Sequence, residues 1–214
     1  SLIKFNKVSN IEWKKNYYSK SDKKNNPILF LAIEKDNLFV ADTNANYYLL
    51  NKKNGNLKWK KKHTSSFNSQ IKIRNGKIVV VDMENTLRCF SIKNGEILWS
   101  IPTELTVVSS QKKQSLIIVN NLVIFSNSIG DLTAVDFTNG EIIWQTPTQV
   151  LEIGNNITLR NSDIVSDGNL IYMSNNKNEF FALDIKTGII KWKHQINSEI
   201  RPVVISDYIV SISN

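Results

Sequence analysis

The chain has 214 residues, 41% of them hydrophobic, so one medium domain or a repeat array with a substantial core is expected. No apolar run approaches the roughly 18–20 residues of a helical membrane span; the single cysteine, Cys89, excludes an intrachain disulfide, and two histidines, His63 and His194, are too few for a Cys/His zinc site. The formal net charge is +8, yet no arginine cluster or regular basic stripe accompanies it, and lysine is abundant beside 28 asparagines, as AT-rich codon use produces; nucleic acid is not the expected partner.

Ser1-Leu2-Ile3-Lys4-Phe5 is neither an initiator methionine nor a signal peptide, and the chain reads as a processed or excised piece. Leu2 to Phe5 and Asn10 to Lys14 are predicted strands around Trp13. The next unit has strands at Leu38 to Ala41 and Tyr47 to Leu50, then Asn54-Gly55-Asn56-Leu57-Lys58-Trp59. The following two repeat the order: Ile78 to Val81, Leu87 to Phe90 and Asn94 to Trp99, then Leu122 to Phe125, Leu132 to Val135 and Asn139 to Trp144. In the last unit Asp163 to Ser166, Asn169 to Ser174, Glu179 to Asp184 and Ile189 to Lys193 make four strands joined by tight turns, an antiparallel meander. Pro202 to Ile205 and Tyr208 to Ile212 follow as two more strands, and no segment sustains helical spacing.

Trp13, Trp59, Trp99, Trp144 and Trp192 are spaced by 46, 40, 45 and 48 residues, the mark of one supersecondary unit copied along the chain. Gly55, Gly95, Gly140 and Gly188 each stand four residues before their Trp, where a bulged hairpin needs a positive φ. Asp136 and Asp184 stand eight residues before theirs, where a carboxylate accepts from turn N–H groups, with Asn51 and Ser91 in the other two copies. Read as acids or metal ligands, these aspartates would not recur at a turn position. Cys89 fills the slot held elsewhere by Ala134, Ala182 and Leu49, so it reads as a buried small hydrophobe rather than a nucleophile. A four-stranded sheet that buries both faces by stacking around an axis is a blade, and the expected fold is an all-β propeller of four-stranded antiparallel blades in a single domain, 1–214.

The run Ala182-Leu183-Asp184-Ile185-Lys186-Thr187-Gly188-Ile189-Ile190-Lys191-Trp192 resembles the pyrroloquinoline-quinone-type (PQQ-like) propeller repeat, and Ala134 to Trp144 matches nearly as well. In the Trp13 copy Ser9 stands where Gly belongs. The resemblance spans essentially the whole chain and points to two groups. Quinoprotein dehydrogenases carry a quinone, calcium, a catalytic Asp and often a vicinal cysteine pair. BamB-like outer-membrane assembly lipoproteins bind no cofactor and act as scaffolds. The lone cysteine, the short length and the lack of an extra acidic cluster beyond the turn slots look more like the second group. The resemblance therefore implies no quinone or calcium, no catalytic or metal site, and a place on the periplasmic face of the outer membrane or in the periplasm, with any membrane attachment through a lipid anchor or a partner.

Four complete repeats and two half-blades are expected. The front half reads as third and fourth strands and the back half as first and second, so they either pair into a five-bladed ring or belong to an arc of a larger, for example eight-bladed, ring. Connections between blades are long and are the expected recognition surface. They carry Lys23 and Lys24; Lys61, Lys62 and His63; Lys112 and Lys113; and Arg160, with Asp42, Asp82, Glu84, Asp131 and Glu179 offsetting their charge. A mixed face suits protein partners. The expected function is a non-enzymatic scaffold in outer-membrane protein assembly, with a quinone-dependent dehydrogenase fragment or a sugar- or polymer-binding propeller as alternatives.

Overall fold

The computed structural model describes residues 2–20, 26–103, 113–127, 131–148, 161–175 and 177–213. Every named element among them is a strand. A first hairpin pairs β1 (Leu2–Phe5) with β2 (Ile11–Lys15). Blade 1 is β3 (Leu29–Glu34), β4 (Asn37–Asp42), β5 (Asn46–Asn51) and β6 (Leu57–Lys62). Blade 2 is β7 (Lys72–Arg74), β8 (Lys77–Val81), β9 (Thr86–Ser91) and β10 (Ile97–Pro102). Blade 3 is β11 (Leu116–Val119), β12 (Leu122–Ser126), β13 (Leu132–Asp136) and β14 (Ile142–Thr146). Blade 4 is β15 (Val165–Ser166), β16 (Leu170–Ser174), β17 (Glu179–Asp184) and β18 (Ile190–Gln195). A last hairpin pairs β19 (Val203–Ile205) with β20 (Tyr208–Val210).

All sheets are antiparallel meanders in sequence order. The second and third strands of each blade are nearly continuous apolar runs because neighbours cover both of their faces. Alternate residues go to opposite neighbours: Ile78 and Val80 pack with Phe39, Tyr47 and Leu49 of blade 1, while Val79 and Val81 pack with Val123, Phe125 and Val135 of blade 3. The same two-way division continues into blade 4, where Ile171, Met173 and Phe181 meet Ile124, Leu132 and Ala134. First strands are neighbours, β3 with β7, β7 with β11, and β15 with β19.

The fourth strand carries the repeat's tryptophan. In register it lies across from the residue ten positions earlier: Trp59 from Leu49, Trp99 from Cys89, Trp144 from Ala134 and Trp192 from Ala182, each beside a bulge. Cys89 is fully buried, and burial pushes its thiol up to about 12.

The indoles of Trp13, Trp59, Trp99 and Trp144 lie on the glycine turn of the following unit. Gly55, Gly95, Gly140 and Gly188 have φ of 69°, 70°, 82° and 70°, and a Cβ added to them would come within 2.7, 2.9, 2.8 and 2.6 Å of Trp13, Trp59, Trp99 and Trp144. Trp13, Trp59 and Trp144 also donate through Nε1 to the carbonyls of Lys52, Ile92 and Ile185, at 3.1, 3.0 and 3.0 Å. The matching carbonyl for Trp99 is Phe137, but Lys77 Nζ donates to it at 3.2 Å and to Thr138 O at 2.9 Å, and Trp99 Nε1 is buried without a hydrogen bond.

Ser9, where the repeat expects glycine, adopts the same left-handed conformation, with φ of 67°. Its turn is one residue shorter than the others, and Asn6 Oδ1 accepts from the Val8 and Asn10 N–H groups at 3.0 and 2.9 Å.

The two end hairpins are separate two-stranded sheets and do not pair into the fifth blade of a closed ring. Each hairpin is positioned by the blade beside it. Trp13 docks on Lys52 and Gly55 of blade 1, and Val204 and Ile209 pack against the cluster of Val165, Tyr172, Phe180 and Ala182 of blade 4. The register of the last hairpin puts Val203, Ile205, Tyr208 and Val210 together on an exposed face.

Candidate partner-binding face

At the bottom of each blade the turn between third and fourth strands is built on one side chain. Asp136 Oδ1 accepts from Thr138 N–H at 2.6 Å, and Asp184 Oδ1 from Lys186 and Thr187 N–H at 2.9 and 3.1 Å. Asn51 Oδ1 and Ser91 Oγ accept likewise from Lys53 and Lys93 N–H, at 2.8 and 3.2 Å. Backbone N–H donors hold both Asp carboxyls below the usual carboxylate range, the Thr138 and Lys186 amides contributing most.

The opposite end, where second strands turn into third strands and blades connect, has a matching slot. Asp42 Oδ1 accepts from Asn44 and Asn46 N–H at 2.8 and 2.9 Å, and Asp82 Oδ1 from Glu84 and Thr86 N–H at 3.0 Å each. Asn127 Oδ1 accepts from Asp131 N–H at 2.8 Å, and Asn175 Oδ1 from Lys177 and Glu179 N–H at 2.9 and 3.1 Å. Each of these four stands 17 residues before its Trp, a second period in the sequence beside that of the glycines. Asp42 and Asp82 are fully buried. They therefore do not offset surface charge, as expected from sequence, but hold turns.

Their second oxygens gather the connections into blades 1 and 2. Tyr18, from the connection into blade 1, donates to Asp42 Oδ2 at 2.7 Å, and Tyr48 donates to Tyr18 at 3.2 Å. Burial raises both phenols, Tyr48 to about 12. In blade 2, His63 Nε2 lies 3.3 Å and Arg88 Nε 2.5 Å from Asp82 Oδ2, and Arg88 also reaches Glu84 at 3.5 Å. His63 stacks on Phe67, centroids 5.7 Å apart, and meets Tyr47 and Phe90 edge-on.

The expected contact residues divide accordingly. His63 has a side chain only 9% exposed and is held by Asp82, so it is a structural residue of the face rather than a probe for partners. Lys61 is ion-paired with Glu96 of the next blade, Lys62 is exposed, and Lys113 places its ammonium over the Phe30 ring, 3.0 Å from the centroid. Burial lowers the Lys113 ammonium. Lys23, Lys24, Lys112 and Arg160 lie outside the described residues.

Toward the axis, Gln70 Nε2 of the connection into blade 2 donates to Asp163 Oδ2, before blade 4, at 3.1 Å. Beside it a cleft of about 540 Å³ is lined by Ile117, Val119, Ile164, Val165, Arg201 and Val203 among others. Lys72 is lowered by burial first and by the charge of Arg201 second, with Asp163 opposing. Among the described residues no three His, Cys, Asp or Glu side chains are grouped to hold a metal ion.

Four-stranded meanders stacked through a Trp–Gly contact define a β-propeller of PQQ-like repeats. The chain belongs to the family described as outer membrane protein assembly factor BamB, whose model matches residues 8–214. The crystal structure of BamB from Moraxella catarrhalis superposes with a TM-score of 0.78 at 15% identity, over 94% of this chain and 61% of that one. The chain thus spans about three fifths of the length of that protein. The designed Ika8 protein matches with a TM-score of 0.65 at 14% identity, over 86% of this chain and 54% of that one. The quinohemoprotein alcohol dehydrogenase ADHIIG from Pseudomonas putida HK5 matches with a TM-score of 0.62 at 15% identity, over 85% of this chain and 37% of that one. At the level of sequence alone no curated protein matches.

Proposed function

We propose that the chain is a single, non-enzymatic propeller domain that serves as a protein-interaction scaffold in outer-membrane protein assembly, on the periplasmic side of that membrane, without quinone or calcium. The observation that supports this most is the use of its polar residues. The Asp and Asn side chains at both blade ends hold turns, His63 is locked to Asp82, and Cys89 is a packing residue. What is left for recognition is the connection face, with Lys62 and Lys113 among its described residues and Lys23, Lys24, Lys112 and Arg160 as further candidates. Membership of the BamB family fits such a role.

Affinity capture from envelope extract of the source cells tests the reading. Repeated recovery of an assembly component, lost when Lys62 and Lys113 are changed to Glu, supports it; repeated recovery of none counts against it.

The dehydrogenase alternative rests on likeness to two quinohemoprotein alcohol dehydrogenases, from Pseudomonas putida HK5 and Comamonas testosteroni, at 15% and 14% identity. Dye reduction with an alcohol after adding pyrroloquinoline quinone and calcium would favour it.

A further inference from the structure

The positive charge of this chain sits in its first third. Residues 1–62 carry 14 Lys against five Asp or Glu, whereas residues 63–214 carry 13 Lys or Arg against 14 Asp or Glu. Codon bias toward lysine predicts an even spread, so composition does not account for this distribution.

Blades 1 and 4 place lysines at the same positions of the outer strand, one before and one after the tryptophan: Lys58 and Lys60 in β6, Lys191 and Lys193 in β18. In blade 4 both are neutralised by their own sheet, Lys191 at 3.4 Å from Asp184 Oδ2 and Lys193 at 3.3 Å from Glu179 Oε1. Blade 1 has Asn51 and Asn46 at the positions of those two carboxylates. Lys58 donates instead to Asn37 Oδ1 at 2.6 Å, and Lys60 to the Tyr17 carbonyl at 3.3 Å. Lys62, in register with Asn46, continues the exposed set, and Lys15 of β2 extends it to the neighbouring hairpin through Asn56 Oδ1 at 3.2 Å. Among the described residues, none of these four lysines pairs with a carboxylate.

We propose that this lysine row on the outer edge of blade 1 docks on an anionic phospholipid surface. A bilayer accepts a row of mobile ammonium groups without matched spacing, each contributing about 1 kcal/mol near the surface. No arginine precedes Arg74, so the row lacks the planar fork that fixes a carboxylate of a specific partner. The lysines lie on open strand, not in a recess. Ile11 and Leu57, which begin β2 and β6, are 57% and 48% exposed and can enter the headgroup layer beside them.

The test is flotation of the chain with vesicles of phosphatidylcholine alone and of phosphatidylcholine with phosphatidylglycerol. Binding is expected only to the second kind, and only at low salt, since roughly 0.5 M salt shortens screening to a few ångströms. The double variant K58N/K60N, which copies the uncharged state without touching the core, is expected to bind roughly 10- to 30-fold more weakly. K191N/K193N removes the same formal charge from already paired positions and should change binding by about twofold or less. Equal loss in the two variants, equal binding to both vesicle types, or no binding to anionic vesicles overturns the proposal. Capture by poly-glutamate without vesicle binding also overturns it, in favour of an acidic polypeptide. No assembly component is present in this assay, so its outcome is separate from that of the scaffold reading.

Discussion

Trp144 of blade 3 lies on Gly188 of blade 4: its Nε1 donates to the Ile185 carbonyl at 3.0 Å, and its ring stands 2.6 Å from where a Gly188 Cβ would be. The glycine is thus required twice, for its φ of 70° and for the absence of a side chain. Gly188→Ala is expected to destabilise by about 3 kcal/mol, from backbone strain plus overpacking. Gly168→Ala, with φ of 102° and nothing within 4 Å, carries the strain alone, about 1 kcal/mol. Urea midpoints of the two variants check the difference.

Trp59 and Trp99 are both half-buried, but only Trp59 makes the indole hydrogen bond, because Lys77 occupies the Phe137 carbonyl. Trp59→Phe should cost about 1 kcal/mol more than Trp99→Phe, since it alone leaves a carbonyl, that of Ile92, without its donor. Melting curves of the pair decide it.

Asp82 is buried with its charge facing Arg88 and His63. Asp82→Ala removes the turn acceptor and leaves the Arg88 guanidinium with only its longer contact to Glu84, for a loss of about 3 kcal/mol. Asp82→Asn keeps the acceptor, as Asn127 and Asn175 do in blades 3 and 4, and with Arg88→Met added should recover most of that loss. Equilibrium unfolding of the three variants measures the recovery.

Asp136, Asp184 and Glu179 are all held below their ordinary values of 3.8, 3.8 and 4.5 by hydrogen bonds. A carboxyl lowered on folding contributes stability that is present above its unfolded pKa and lost as pH falls through the folded one. The melting temperature should be flat above about pH 5 and decline below about pH 4. Asp184→Asn, which preserves the acceptor that Asn51 supplies in blade 1, should flatten part of that decline.

Cys89 is fully buried and its thiol is raised to about 12. A thiol reagent such as Ellman's at pH 8 should react only at the rate of unfolding, and fully in urea.

The tryptophan period made the four complete blades, their strand order and the bottom turns legible, because those features repeat and chance does not. The slot of Asp42, Asp82, Asn127 and Asn175 was equally periodic, yet its alternation between Asp and Asn let two members pass as surface charge. His63 could not be placed from sequence: a lone histidine after four lysines in five positions reads as solvated, and its burial depends on Phe67 and Asp82, which reach it through the fold. The missing hydrogen bond of Trp99 was hidden for the same reason, since it turns on Lys77 of another strand. The lysine row was countable but was averaged away when charge was taken over the whole chain.

The packing of an indole on the next glycine turn recurs at four junctions, from Trp13 to Trp144. Each unit recognises a successor, and nothing in that recognition distinguishes the second from the fourth. Such an interface specifies adjacency but carries no count, so whole units can be gained or lost by duplication without inventing a new junction. How many units an architecture of this kind holds must then be written in the pitch between them and not in the joints.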